Sequence, residues 1–188
     1  MPPARAAALP SAGVFASAGR LDACNAAQVA LLFAKLAEKS FRKIEEFNAQ
    51  DICHIAWAFA RLGIKHEMLF GALAKKAVNK IADFKEQNIA NLAWAFATLG
   101  LQDVELLKAL AARAQKEIDT FNRQDIANTA WAFAVLGIGT IDIFKALEER
   151  VFKANVEEWS GKALTQLKQA FLHLKYELGI DSFASSEE

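Results

Sequence analysis

Two sets of polar residues recur in this chain at fixed places and carry groups that could recognise another molecule. The first reads Gln50, His54, Ala58 and Arg61, then Gln87, Asn91, Ala95 and Thr98, then Gln124, Asn128, Ala132 and Val135. Amide side chains hold both donors and acceptors, the equipment needed at base edges. The last position varies from Arg61 to Thr98 to Val135, as a reading position would. The second set is cationic: Lys39, Lys76, Arg113 and Arg150, with Lys80, Lys116 and Lys153 three or four residues after the last three. One cation per unit along a line is what a phosphate backbone requires. Each set also has a plain structural reading. The amides could brace neighbouring units, and the cations could be a solvated face diluted by Glu38, Asp83, Glu117, Glu148 and Glu149. Catalytic patterns are missing. His54, His66 and His173 have no ligand spacing, no phosphate loop is present, and no nucleophile–base arrangement can be drawn. No enzyme activity and no cofactor are expected.

The elements that must position these residues are repeats. Ile55 to Gly63 reads Ile-Ala-Trp-Ala-Phe-Ala-Arg-Leu-Gly, and closely similar stretches run from Leu92 to Gly100 and from Thr129 to Gly137. Trp57, Trp94 and Trp131 stand 37 residues apart (94−57 and 131−94). Such a period indicates an array of supersecondary units. Each unit has two helical segments. Trp helices are predicted at 49–62, 86–99 and 123–136. Lys helices are predicted at 24–44, 66–81, 103–118 and 141–155. Asn48 and Asn122 read as N-caps with an acidic third position, which Lys85 lacks. Gly63, Gly100 and Gly137 fall where a left-handed C-cap belongs. Residues 164–174 resemble a Trp helix without its Trp and form the closing cap.

On a Trp helix the apolar residues cover most of the circumference, leaving the amide row as a narrow strip. The tryptophans border that strip. They could stack on bases, but their setting among Ala and Phe places them in the core between units. In two layers of helices the exposed faces point to opposite sides. Strip and cations therefore need not meet one strand, unless the long basic side chains reach the rim.

Composition sets outer bounds. The chain has 188 residues, of which 54% are hydrophobic and 23% charged, and 22 basic residues balance 22 acidic ones. This fits a folded chain, and net charge points to no partner. Residues 1–21 carry Arg5 and Arg20 but no acid, and they are rich in Ala and Ser. That reads as an organellar targeting leader or as a disordered or degenerate extension. Residues 22–178 form the repeat region, and 179–188 a disordered tail. Cys24 and Cys53 make no disulfide or metal pattern, which suits a reducing compartment. No run approaches a membrane span.

The motif Gln-Asp-Ile-Ala-Asn-x-Ala-Trp-Ala-Phe-Ala-x-Leu-Gly, nearly complete at 87–100 and 124–137, resembles organellar helical-repeat RNA-binding proteins. These are the heptatricopeptide and octotricopeptide repeat families, the FAST-kinase-like leucine-rich proteins and the RNA-editing substrate-binding complex subunits of kinetoplastids. The resemblance covers about residues 24–178. It implies a noncatalytic protein that binds single-stranded RNA and acts in RNA processing, stability or translation. It also implies a mitochondrial location, with the chloroplast as the alternative. The expected fold is all-α: an α-solenoid of stacked antiparallel helix pairs with a 37-residue repeat. The rival reading is an armadillo-like scaffold that holds other subunits of a ribonucleoprotein. Three whole repeats are few for unique targeting at about one base each.

Overall fold

The computed structural model describes residues 23–137, 141–153 and 155–177. The leader read over 1–21 and the tail over 179–188 lie outside the described residues. Eight α-helices account for most of the rest, and no strand occurs among the described residues. The helices are α1 (Ala23–Arg42), α2 (Ala49–Arg61), α3 (Glu67–Asn79), α4 (Glu86–Thr98), α5 (Val104–Glu117), α6 (Arg123–Leu136), α7 (Ile141–Lys153) and α8 (Gly161–Glu177). The Trp helices are α2, α4 and α6. Each Lys helix ends in a short 3-10 turn that the sequence reading did not foresee: Ile44–Glu46, Ile81–Asp83, Ile118–Thr120 and Val156–Glu158.

Helices α2, α4, α6 and α8 pack side by side in one row, and α1, α3, α5 and α7 follow one another in a second row. Alanine lets the first row close up. Ala56, Ala93 and Ala130 are buried at matching positions, so neighbouring backbones approach without a large side chain between them. In the second row Leu69 and Leu73, then Leu106 and Leu110, make the buried face. Phenylalanines join the rows. Phe33, Phe59, Phe70 and Phe96 form a chain of edge-to-face contacts with ring centres 4.8, 6.2 and 5.2 Å apart, the arrangement that ring quadrupoles favour.

The helix ends follow local chemistry. Asn48 and Asp51 form a reciprocal box, with both bonds at 3.0 Å. Asn122 and Asp125 repeat it. In the middle copy Lys85 offers no acceptor, and only the return bond survives, from Lys85 N–H to Asn88 Oδ1. Gly63, Gly100 and Gly137 all have positive φ, between 60° and 66°. No atom lies within 4 Å of a Cβ placed on Gly100, so an added methyl group meets only the backbone penalty. Gly100→Ala is therefore expected to lower stability by about 1–2 kcal/mol, read from urea denaturation. An unchanged midpoint would mean that the turn relaxes out of the left-handed region.

The tryptophans meet the expected core placement only in part. Trp94 and Trp131 are partly buried and packed against the core, whereas Trp57 is 46% exposed. The fully buried rings are Phe59, Phe96 and Phe133, two residues further on. Helical geometry explains it: a step of two residues turns the side chain by about 200°, so Phe points into the two rows and Trp to the flank. Helices α4 and α6 each have a Trp helix packed before them, whereas α2 has none among the described residues. Leu32 is 61% exposed for the same reason, whereas its counterpart Leu69 is fully buried. At the other end Trp159 is buried where earlier units have Phe84 and Phe121. No helix among the described residues is long and apolar enough to cross a membrane.

Candidate nucleic-acid interface

The first turns of α2 and α4 flank an open cavity of about 470 Å³. Its walls carry Gln50, His54, Gln87 and Asn91, so four of the eight predicted base-contacting residues share one groove. Gln50, His54 and Gln87 are exposed, and Asn91 is half-buried. Asn88 adds a further amide, and Cys53 lies in the wall. Burial pushes the Cys53 thiol up to about 12. It stays protonated at neutral pH and donates to the Asn88 carbonyl at 3.3 Å, which makes it a structural donor rather than a nucleophile.

At the far end of the strip the two remaining side chains stand apart from this groove. Arg61 is exposed, and its guanidinium lies 5.5 Å from the centre of the Trp57 ring, within cation–π range. Thr98 is half-buried, and its hydroxyl is buried without a partner.

The third copy of the strip is arranged differently. Gln124 Nε2 donates to Asn128 Oδ1 at 2.8 Å and to Gln166 Oε1 of α8 at 2.9 Å. Gln166 Nε2 donates back to Asn128 Oδ1 at 2.9 Å. Asn128 and Gln166 are both 8% exposed. Here the amides tie α6 to α8, while their counterparts Gln87 and Asn91 face the groove.

The cationic positions have a structural account as well. Lys76 Nζ donates to the Glu45 carbonyl at 2.8 Å and to Glu45 Oε2 at 2.6 Å. This bond and its charge hold the Glu45 carboxyl below its usual range. Arg113 Nε donates to the Phe84 carbonyl at 3.2 Å, and its Nη1 pairs with Glu117 at 2.8 Å. Arg150 Nη2 donates to the Phe121 carbonyl at 3.2 Å. Each of the three reaches the turn that ends the preceding unit, where carbonyls lack a helical partner. Their 37-residue spacing thus follows from a clamp repeated between units. Lys39, with no earlier unit to clamp among the described residues, is exposed and without a partner among them. Lys116 is likewise exposed and unpaired. Lys80 lies 4.0 Å from Asp83, and Lys153 3.6 Å from Glu149.

One basic residue escaped the sequence reading. Arg123 opens α6 where the other Trp helices have Ala49 and Glu86. Its departure from the repeat is the signal the sequence carries. It is half-exposed and paired with Glu158.

Among the described residues no group of three His, Cys, Asp or Glu side chains could hold a metal ion. Among the described residues, paired helices carry a polar groove across two neighbouring ones. Residues 26–180 match the RNA-editing substrate-binding complex 6 protein family, and the chain belongs to that family. Of the repeat types that the motif resembles, this match identifies the RNA-editing complex subunit. No curated protein matches the chain.

Proposed function

We propose that the chain is an α-solenoid of 37-residue helix pairs that binds single-stranded RNA without catalysis. In this reading it serves as a mitochondrial subunit of an RNA-editing substrate-binding complex. The observation that carries it is the groove between α2 and α4, which gathers Gln50, His54, Gln87 and Asn91. Helical-repeat readers of RNA use two or three side chains per repeat on one base, and each wall of this groove supplies two. Family membership supplies the setting.

The expected result concerns base preference. Gln87→Ala with Asn91→Ala should weaken binding of one homopolymer by about fivefold, the equivalent of roughly one hydrogen bond, and leave the others near wild type. The salt slope should stay unchanged, because an uncharged amide releases no counterion. Fluorescence anisotropy with labelled 12-nucleotide oligomers over a salt series reads both quantities. Equal effects on all four homopolymers would remove the groove from base reading.

A scaffold reading has its own support. Lys76, Arg113 and Arg150 are bonded within the chain, and α1 exposes Leu31, Leu32 and Phe41. Failure of the wild type to bind any RNA at low salt would favour it.

A further inference from the structure

A second cavity, of about 510 Å³, opens where the first turn of α6 meets the end of α7 and the turn at Val156–Glu158. Arg123, Arg150 and Lys153 line it against one carboxylate, Glu158. The balance elsewhere is opposite. The groove between α2 and α4 sets Lys85 against Asp83 and Glu86. A cavity beside α3 and α5 sets Lys65 against Glu67 and Asp103. The chain's formal charge is zero, and of these three cavities this one carries the excess of positive charge.

We propose that this cavity binds a backbone phosphodiester of the RNA strand whose bases face the groove between α2 and α4. The inference rests on the RNA-binding reading and assigns the place where that strand is held. Guanidinium groups suit phosphate oxygens because their planar donors match the geometry. Arg150 makes one bond, to the Phe121 carbonyl, and its Nε is buried without an acceptor. Arg123 pairs with Glu158, both about half exposed, so the pair is weak in water. A phosphodiester can displace the Glu158 carboxylate, which meanwhile fills the place of an anion. Position favours one strand over two ligands. The groove is lined by the N-terminal turns of α2 and α4, and this cavity by Arg123 of α6 and its N-cap Asn122. Both therefore lie at the edge where the Trp helices begin. Helix α6 is the next neighbour of α4, about 8–10 Å away, a span that a short strand covers.

The test is anisotropy with labelled oligouridylate over a salt series. Arg123→Gln with Lys153→Gln removes two cations. The salt slope of a single strand should fall by about 1.4, at roughly 0.7 per phosphate contact. The advantage of the wild type over this variant should then shrink about sevenfold as salt rises fourfold. Glu158→Gln should tighten binding about threefold, the effect of one opposing charge about 6 Å away in water. Lys65→Gln with Lys108→Gln removes the same charge elsewhere and should leave the slope near wild type. If the Arg123 and Lys153 pair keeps the wild-type slope, or the charge-matched pair loses as much, the cavity is not the phosphate site, while the RNA reading stands. If Glu158→Gln weakens binding, the assignment also fails. Free uridine monophosphate, added at constant ionic strength, should compete far less well than unlabelled strand. Equal competition would assign the cavity to free nucleotides. A wild type that binds no RNA would overturn the RNA reading itself, and the inference with it.

Discussion

Phe96→Ala should lower stability by about 3–5 kcal/mol, the range for truncating a buried Phe. Phe96 is 2% exposed, and its ring centre lies 5.2 Å from that of Phe70 on the neighbouring Lys helix. It stands on α4, which packs against α2 on one side and α6 on the other. A cavity there weakens both junctions at once. In a solenoid, the architecture proposed above, stability is a sum over units and their interfaces, so loss in the middle separates the ends. Denaturation by urea, followed by circular dichroism, should therefore become broader or split into two steps. Trp94→Ala should cost less, because that ring is only partly buried. A larger loss from Trp94→Ala than from Phe96→Ala would restore the tryptophans as the core.

The comparison between these two rings shows what the sequence could and could not convey. Periodicity placed both on one helix and gave helix limits within two residues for α2 to α6. It set the tryptophans at the border of the polar strip but did not fix how deeply each ring is buried, because both Trp and Phe sit among alanines. That depth depends on where the second row lies. Caps were legible because they are local: Asn48 with Asp51, Asn122 with Asp125, and glycines at positive φ. The clamps were half legible. A basic residue every 37 positions was plain, but its acceptor is a backbone carbonyl some 30 residues earlier. Backbone acceptors leave no trace in residue identity, so the cation looked free for an outside phosphate. Arg123 shows the converse. A residue that breaks the repeat, and whose partner Glu158 lies in the irregular last unit, is invisible to a search for regularity.

The amides of the third copy yield the second large effect. Asn128→Ala should lower stability by about 1–3 kcal/mol, the cost of leaving a buried polar partner unsatisfied. Asn128 Oδ1 accepts from both Gln124 Nε2 and Gln166 Nε2. Gln124 is only half-buried and keeps its bond to Gln166 Oε1, so it can also turn to water. Gln166 is 8% exposed, and its Nε2 would lose its acceptor in a nearly dry site. The penalty therefore falls on Gln166. This separates a brace from an ordinary solvated amide: exposed Asn side chains can be truncated at little cost. The decisive companion is Asn128→Leu with Gln166→Met, which removes both buried amides and keeps similar volume. It should recover most of the loss, because replacing both partners avoids the orphaned donor. The four combinations, measured as a double-mutant cycle by urea denaturation, give the coupling directly. Additive losses, or a cost below about 0.5 kcal/mol for Asn128→Ala, would show that the amides do not hold α6 to α8. Asn128 would then be free to turn outward, and the strip would extend across all three units as a continuous surface for bases.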